Sequence, residues 1–264
     1  MSKKLYYKTK DEIELIRESS LLVAKALAEV AKVIKPGVST LFLDKIAYEF
    51  IKDNKAIPAF LNFNGFPNSL CISVNSQVVH GIPNSYELKD GDIVSVDCGV
   101  VKNEFYGDSA YTFAIGNVKP EILKLLQVTK ESLYKAIEIC VVGKRLGDIG
   151  EAIQTYTESH NFSVVRELVG HGVGKQLHEA PEVPNYGKKG TGLKLEEGLV
   201  IAIEPMINYG KKAITQENDG WTIRTVDNLP SAHFEHTVAI GKNKADILSS
   251  FKYIEDTLNN LKMN

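Results

Sequence analysis

Cysteine, long apolar runs and an excess of charge of one sign are all scarce or absent in this chain of 264 residues. The three cysteines, Cys71, Cys98 and Cys140, are odd in number and far apart, which argues against a disulfide framework and favours free thiols in a reducing compartment. No apolar run reaches the roughly 18 residues of a membrane-spanning helix, and the N-terminal region lacks the apolar core of a signal peptide. We therefore expect a soluble cytoplasmic protein.

The charges nearly balance, since 31 Lys and Arg stand against 33 Asp and Glu for a formal net charge of −2. The overall electrostatic field therefore favours neither nucleic acid nor an anionic membrane, and we expect neither as a partner. Hydrophobic residues make up 44% and charged residues 24% of the chain, as in ordinary globular proteins. Because no linker or low-complexity segment divides the chain, we predict a single domain over residues 1–264.

Local patterns predict helices and strands in alternating blocks. Thr9 and Glu12 form a capping box before an apolar series of helical spacing, and Pro36-Gly37 ends that helix. Short apolar runs separated by turn residues then predict strands between residues 70 and 116. The remaining predicted helices cover about 41–52, 120–142, 147–159 and 250–262, with mostly strands and loops between the last two.

Two features recur along the chain at nearly the same spacing. Residues 91–97 consist of a glycine, an apolar-rich strand and an acid, and residues 198–204 repeat that order. The helix–glycine–helix pattern around Gly37 also recurs around Gly143. Two independent recurrences indicate a duplicated helix–helix–β unit, whereas the alternative is chance similarity between generic elements.

The duplication would divide the chain into two halves, at about residues 10–116 and 119–241. Each half would then carry an acid at the same strand position, Asp97 in the first and Glu204 in the second. If the halves pack about a pseudo-twofold axis, these acids meet at one centre.

The segment around Asp97 and Asp108 reads as a hairpin of two strands. A two-residue turn at Lys102-Asn103 would place the two carboxylates directly opposite each other. Such a pair requires shared protonation or a bound cation when it is buried, and an exposed hairpin that tolerates both charges is the alternative. Because apolar residues flank Asp97 on both sides, we predict a buried strand.

The second half contributes further residues of the kind that bind metals. Glu204 ends an apolar strand, Glu235 lies in a β-like run at the place that Asp108 holds in the first half, and His171 is flanked by glycines. Four carboxylates and one imidazole exceed the needs of a tetrahedral zinc. They suit two divalent ions about 3.5–4 Å apart, and Mn, Fe, Co or Zn all accept such oxygen-rich coordination.

These candidate residues lie in short motifs that follow one another in a fixed order. The motifs are VDCG with Asp97, GDSA with Asp108, GHGVGKQLHEAP with His171 and His178, AIEPMI with Glu204, HFEHT with Glu235, and HGIP with His80. Together they resemble methionine aminopeptidase over essentially the whole chain.

The resemblance implies an α+β pita-bread fold, in which two pseudo-symmetric halves enclose a curved antiparallel sheet and a dinuclear metal site. It also implies the five metal ligands, which are Asp97, Asp108, His171, Glu204 and Glu235. Among these, Asp108 and Glu235 would bridge the two ions.

The resemblance assigns catalytic roles as well. His178 would donate a hydrogen bond to the scissile carbonyl or the transition-state oxyanion, His80 would contact the backbone of the second substrate residue, and Glu204 would also shuttle a proton. The implied reaction removes the initiator methionine when the second residue is small, by attack of a metal-bridging hydroxide on the first peptide bond.

The form and setting of the enzyme follow from the same resemblance. The chain shows no Cys/His-rich extension, and the short spacing between His178 and Glu204 leaves no room for the insertion of the type II enzymes. It is therefore most similar to the compact bacterial type I form. The implied partners are the N-termini of nascent polypeptides, at the ribosome exit, and a monomer is expected.

The predicted pocket for the first side chain departs from the family pattern. Leu177 stands where the family commonly has Phe, and a Phe-rich loop replaces common Cys or Tyr residues, while Trp221 would form the rim or simply belong to the core. The pocket remains apolar and suits an unbranched thioether. Its predicted residues are Phe60, Phe63, Phe66, Cys71, Leu177 and Trp221.

Two other functions fit the same fold. One is an Xaa-Pro aminopeptidase or prolidase, although those enzymes usually carry an additional N-terminal domain. The other is a non-catalytic pita-bread module that binds peptides or chromatin-type partners, but such proteins lose metal ligands and all five candidates are present here.

Overall fold

Five helices frame the protein in this computed structural model, which describes residues 4–263. They are α1 (Lys10–Val33), α2 (Thr40–Asp53), α3 (Pro120–Ile139), α4 (Leu146–Ser159) and α5 (Lys252–Met263). Among the described residues, none of these helices has the length and apolarity needed to cross a membrane.

The start of α1 confirms the predicted capping box. The Glu12 backbone N–H donates to Thr9 Oγ1 at 3.2 Å, and the Thr9 backbone N–H donates to Glu12 Oε2 at 2.9 Å. The helix ends at Val33, before Pro36 and before Gly37, whose φ is +86°. The local pattern therefore predicted both ends, because capping and helix termination depend on neighbouring residues.

Fifteen short strands form four mostly antiparallel sheets. They are β1 (Ile57–Pro58), β2 (Leu70–Val74), β3 (Gln77–Val79), β4 (Ile93–Lys102), β5 (Phe105–Ala114), β6 (Ser163–Val164), β7 (Gly170–Gly172), β8 (Glu179–Val183), β9 (Val200–Ile203), β10 (Met206–Asn208), β11 (Ile214–Gln216), β12 (Ile223–Thr225), β13 (Ser231–His233), β14 (His236–Ala239) and β15 (Asp246–Ile247). β4 pairs with β1, β2 and β5, and β9 pairs with β7 and β14. The other two sheets are β13-β10-β6 and β11-β12-β3.

The two halves repeat the same order of elements, with two helices before a strand that leads to an acid. Gly91 and Gly198, which precede the equivalent strands β4 and β9, have φ of +90° and +89°. Gly37 and Gly143, which separate the helices of each pair, have φ of +86° and +92°. Only glycine adopts this left-handed region readily, so the shared conformations support the internal repeat. Its bounds stay a prediction.

The register of the β4–β5 hairpin differs from the prediction by two residues. The turn falls at Asn103 and Glu104, with φ of +50° and +66°, and Lys102 pairs with Phe105. The prediction of a turn at Lys102-Asn103 was wrong, because a primed two-residue turn needs left-handed conformations at both positions and Asn favours the first. A slip of two residues keeps every side chain on its predicted face.

Helix α1 packs directly on the outer face of this hairpin. A Cβ on Gly107 would lie 2.3 Å from the Ser20 backbone nitrogen, so only glycine allows the helix to approach so closely. The helix contributes Val23, Leu27 and Val30 to the largest apolar core, together with Val94 and Val96 of β4. The opposite face of the hairpin is left to face the second half.

A seam of side-chain and backbone hydrogen bonds joins the halves, between β5 and residues 233–237. Thr112 Oγ1 donates to the carbonyl of His233 at 2.6 Å, and Thr237 Oγ1 donates to the carbonyl of Asp108 at 2.8 Å. Residues far apart in sequence are thereby fixed side by side at the centre of the molecule.

Candidate metal centre

The hairpin supplies two carboxylates from its inner face. Asp97 pairs with Ala110 and Asp108 pairs with Gly99, so the acids are diagonal neighbours rather than directly opposed as predicted. Their carboxyl groups are nevertheless close enough for each to shift the pKa of the other, because diagonal side chains on one face of a sheet remain within reach. A Cβ on Gly99 would lie 2.6 Å from Phe60 Cε1, so this glycine lets the Phe60 ring pack beside Asp108.

Glu235 reaches the same place from the seam. It lies between β13 and β14, not within a strand as the β-like run predicted. Its backbone N–H donates to the Ala110 carbonyl at 3.0 Å, and its own carbonyl accepts from Ser109 Oγ at 2.7 Å. These bonds hold the Glu235 backbone beside β5, and the Glu235 side chain extends toward Asp108.

His171 lies on β7 between two glycines whose size is required by the neighbouring strands. Cβ atoms on Gly170 and Gly172 would lie 2.3 and 2.4 Å from the carbonyl oxygens of Ala202 and Ala180. His171 Nδ1 is 3.0 Å from the Gly172 carbonyl, which can only accept, so Nδ1 carries the proton. Nε2 therefore presents a lone pair toward the acids, as a metal ligand requires.

Glu204 follows β9 and brings a fourth carboxylate to the centre. Its Oε1 lies 3.6 Å from His171 Nε2, and its side chain is 13% exposed. On the other side, His171 Nε2 lies 3.8 Å from Asp108 Oδ2. The imidazole thus stands between a carboxylate of each half.

The acids of this centre are costly to ionise together. Burial raises the pKa of Asp97 to about 7. Burial and neighbouring carboxylates raise the pKa values of Asp108, Glu204 and Glu235 well above their usual range. Burial, together with His178, lowers the pKa of His171 to about 3. The protein alone therefore favours protonated acids and a neutral imidazole. A bound cation would instead stabilise the ionised form of these carboxylates.

The unsatisfied atoms fit a bound cation. Asp97 Oδ1, Asp108 Oδ1 and Glu235 Oε1 are buried without a hydrogen-bond partner, which native proteins rarely tolerate. One ligand atom each from Asp108, His171 and Glu235 lie within 4.8 Å of one another. Oxygen and imidazole donors of this kind suit divalent ions of the Mn, Fe, Co and Zn series.

A cavity of about 640 Å³ opens over these side chains. One end of it is apolar, and the structure brings all six predicted pocket residues together there. Phe66 and Trp221 meet edge to face with ring centroids 5.2 Å apart, and Leu177 is 2% exposed. The polar end of the same cavity is formed by the carboxylate centre, which consists of Asp97, Asp108, His171, Glu204 and Glu235.

The two predicted catalytic histidines also line this cavity. The His178 ring lies 4.2 Å from the His171 ring and 5.2 Å from the Phe63 ring, between centroids. His80 has a left-handed backbone, with φ of +59°, and burial lowers its pKa to about 4. Burial also lowers the pKa of His178, so both rings are neutral donors or acceptors near pH 7.

The sequence interpretation missed His233 beside the centre. Its Nε2 is buried without a hydrogen-bond partner and lies 3.8 Å from Glu204 Oε2. Burial lowers the pKa of His233 to about 3. Its position two residues before Glu235 was an available signal, since alternate residues of an extended segment point the same way.

The sequence interpretation also missed part of the cavity wall. Lys4 and Tyr6, from the segment before α1, line the cavity together with Glu179 and Glu182. Nothing in the local pattern of that segment indicated a place beside the site, because its partners lie more than 170 residues further along the chain.

This arrangement is typical of a metal-dependent hydrolase, because carboxylates and an imidazole that can hold divalent ions lie at the end of a substrate-sized cavity. The chain belongs to metallopeptidase family M24, whose family model matches residues 14–242. Members of this family bind divalent metal, and the fold is the pita-bread fold that the sequence predicted.

Comparison with individual proteins shows which members of this family the chain resembles. A methionine aminopeptidase of Clostridium perfringens is 51% identical over 245 residues, which cover 93% of this chain and 98% of that protein. The crystal structure of methionine aminopeptidase from Rickettsia prowazekii matches with a TM-score of 0.92 at 42% identity, over 94% of this chain and 100% of that chain. These similarities confirm the resemblance read from the motifs.

The similarity of this chain to a prolidase structure is limited to the fold. The prolidase from Pyrococcus horikoshii matches with a TM-score of 0.74 at 21% identity. The match covers 93% of this chain but 64% of the prolidase chain.

Proposed function

We propose that this protein is a methionine aminopeptidase, which hydrolyses the first peptide bond of polypeptides that begin with methionine. The observation that carries the proposal is the apolar pocket at one end of a cavity whose other end is the carboxylate centre. The similarity to methionine aminopeptidases extends over nearly their whole length, which favours this activity over that of prolidases.

Two divalent ions would be held by Asp97, Asp108, His171, Glu204 and Glu235. When bound, such ions polarise a carbonyl and supply an activated water. Cobalt, manganese, iron and zinc all fit the donor set. The buried carboxyl oxygens without partners support this assignment.

Three side chains would act on the substrate or its protons. His178 would donate a hydrogen bond to the oxygen of the scissile carbonyl, a role that a neutral imidazole N–H beside the centre can fill. Glu204 would accept and return a proton, a role open to a carboxylate that lies beside the reacting bond. His80 would contact the backbone of the second substrate residue from the cavity wall.

The pocket would select the first side chain by shape and polarity. An unbranched thioether conforms to a pocket of aromatic rings and Leu177, whereas a charged side chain there would lose its hydration without a partner. Small second residues are expected, because bulk near His80 would displace the scissile carbonyl, and a displacement of about 1 Å costs on the order of 10²-fold in rate.

We further propose that the substrates are nascent polypeptides, met in the cytoplasm near the ribosome exit, and that the enzyme is a monomer. The balanced net charge of −2 supports a protein without nucleic acid or membrane as a binding partner.

Hydrolysis of a peptide panel tests the proposed activity. The purified protein is stripped with a chelator, reloaded with Mn, Fe, Co or Zn in turn, and given Met-Ala-Ser, Met-Lys-Ser, Leu-Ala-Ser and Ala-Pro-Ser. We expect cleavage of Met-Ala-Ser alone at high efficiency and none of its N-acetylated form. Cleavage of Ala-Pro-Ser instead would indicate an Xaa-Pro peptidase, and binding without turnover under every metal would indicate a non-catalytic module.

A further inference from the structure

The segment before the first helix contacts the loop that carries His178. This segment, residues 4–9, is called the strap, and residues 174–180 are called the His178 loop. A parallel backbone bridge joins Leu5 of the strap to Ala180 of the loop. Lys4 and Tyr6 of the strap also line the cavity, so the strap forms part of the cavity wall.

A buried ion pair links the strap to the residue next to His178. Lys8 Nζ lies 2.6 Å from Glu179 Oε2, and both side chains are 4% exposed. Lys8 Nζ also donates to the Tyr6 carbonyl at 3.0 Å, and Glu179 Oε1 accepts from the Gln176 backbone N–H at 3.3 Å. Both charges therefore have additional partners, which a buried pair needs if it is to hold one geometry.

Two glycines make room for this pair. A Cβ on Gly174 would lie 2.3 Å from Glu179 Oε1 and 2.6 Å from Lys8 Cε. A Cβ on Gly198 would lie 2.8 Å from the Lys8 carbonyl oxygen, and the Lys8 backbone N–H donates to the Gly198 carbonyl at 2.7 Å. Backbone and side chain of Lys8 are thus both held in place.

Buried ion pairs often contribute no more net stability than apolar packing would, and in some proteins their role is to fix one conformation. Here the geometry concerns the residue that follows His178, whose ring must stay beside His171 and Phe63. We infer that Lys8 is a positioning residue, whose ion pair with Glu179 holds the His178 loop so that the His178 ring faces the centre. The consequence for catalysis rests on the proposed function, whereas the position of the ring does not.

The first experiment reads the position of the ring without turnover. Nuclear magnetic resonance of the histidine ring protons is recorded on the metal-free protein, with His178→Ala identifying the His178 signal. We expect one sharp His178 signal in the original protein and in Lys8→Arg, and a broadened or split signal in Lys8→Met. The matched control is Lys130→Met, which breaks the ion pair of Lys130 with Glu255 away from the cavity. An unchanged His178 signal in folded Lys8→Met overturns the inference.

Lys8→Met leaves the charge of Glu179 buried without its counter-ion and can prevent folding. The double variant Lys8→Met/Glu179→Gln removes both charges and keeps the approximate shapes, so it replaces Lys8→Met if that protein does not fold. We expect the same disturbed His178 signal from it, since the tie between strap and loop is gone. A sharp native signal from the double variant would show that packing alone positions the ring.

The second experiment is a double-mutant cycle on turnover. Lys8→Met should lower kcat on Met-Ala-Ser by about 10-fold, as expected from a displacement below 1 Å, with a change in KM below about 3-fold and unchanged metal content. In the His178→Ala background the same substitution should change kcat by less than about 2-fold, because its effect passes through His178. Equal losses in both backgrounds would show a merely structural role. If no variant turns over any peptide, the proposed function fails, and the ring signal still decides the inference.

Discussion

The two halves of the molecule hold their carboxylates in different ways. In the first half, Asp97 and Asp108 lie inside a hairpin whose strands are ten residues each and paired throughout. In the second half, Glu204 follows the four-residue strand β9 and Glu235 immediately precedes β14. The two aspartates therefore lie within a regular ladder of paired residues, whereas the two glutamates lie next to the ends of strands.

The ladder of the second half opens at its acids. Ile203 pairs with His236, and one more step would pair Glu204 with Glu235. Instead, the Glu235 backbone N–H donates to Ala110 of the other half, and the Glu204 carbonyl accepts from Asn185 Nδ2 at 2.9 Å. The extra methylene of glutamate reaches the centre from this looser position. The comparison teaches that the first half holds its acids in a fully paired hairpin, whereas the second half interrupts its own strand pairing to form hydrogen bonds with that hairpin.

Removing one acid from each half should produce the largest effects. Asp108→Asn and Glu235→Gln keep the shapes of the side chains but remove a charged donor, so each should release metal and lower kcat/KM by at least about 10³-fold, several kcal/mol of lost stabilisation. Bound metal is measured by elemental analysis, beside Asp246→Asn as an exposed control. If Glu235→Gln keeps its metal and its activity, the second half supplies no ligand from the seam, and the comparison of the halves is broken.

The histidines extend the comparison to the substrate. His178 of the second half should donate to developing negative charge, so His178→Ala should lower kcat by about 10²–10³-fold while metal content persists. His80 of the first half should instead affect the second substrate residue, so His80→Ala should change the ratio of Met-Ala to Met-Val cleavage more than it changes kcat. Loss of metal from His178→Ala would make His178 a ligand and would reverse this division of roles.

The metal-free protein should show a stability that falls as pH rises above 7. The raised pKa values of Asp108, Glu204 and Glu235 mean that the folded state still binds protons above pH 7 which the unfolded chain has already released, so stability is lost as pH rises. Asp97, with a pKa of about 7, adds to this slope mainly below that pH. The histidines with lowered pKa values are largely neutral in both states above pH 7 and oppose this slope only at lower pH. Each extra proton contributes up to about 1.4 kcal/mol per pH unit.

Urea unfolding between pH 7 and 8.5 measures this slope. Asp108→Asn and Glu235→Gln, one from each half, should both flatten it, and saturating metal should remove it because the cation replaces the protons. A stability that rises with pH in the metal-free protein would contradict the proposed cost of the four acids.

The smallest expected effects concern two glycines, one in each half. A Cβ on Gly170 would meet the backbone oxygen of Ala202 at 2.3 Å, whereas a Cβ on Gly99 would meet the Phe60 ring at 2.6 Å. Gly170→Ala should therefore destabilise by about 1–3 kcal/mol, the cost of forced backbone shifts. Gly99→Ala should cost less, because its nearest neighbour is a ring that can rotate and its one fixed neighbour, the Ala59 Cβ, lies further away at 2.9 Å. Thermal unfolding ranks the two. A larger loss from Gly99→Ala would show that the hairpin, not the strand β7, is the less adaptable part.

Local structure was largely predictable from the sequence. The capping of α1, the helix ends at Val33 and Ser159 and the strand that carries Asp97 follow from neighbouring residues, because capping, turn chemistry and hydrophobic period act over a few positions. The hairpin register was wrong by two residues, since the turn type depends on backbone conformations that one Asn does not specify. The placement of Asp97 and Asp108 on the same face of the hairpin was still right, because side chains alternate with a period of two.

What the sequence determined by itself was the elements, the motif set and the identities of the candidate metal ligands, of His80 and His178, and of the six apolar pocket residues. Only the tertiary structure decided that Glu235 leaves its own ladder for the backbone of Ala110, that His233 stands behind Glu204, and that Lys8 holds the loop of His178. These contacts join residues more than 100 positions apart, or turn on a backbone direction that the nearby pattern does not set. They arise when two halves pack against each other, and no local propensity encodes that packing.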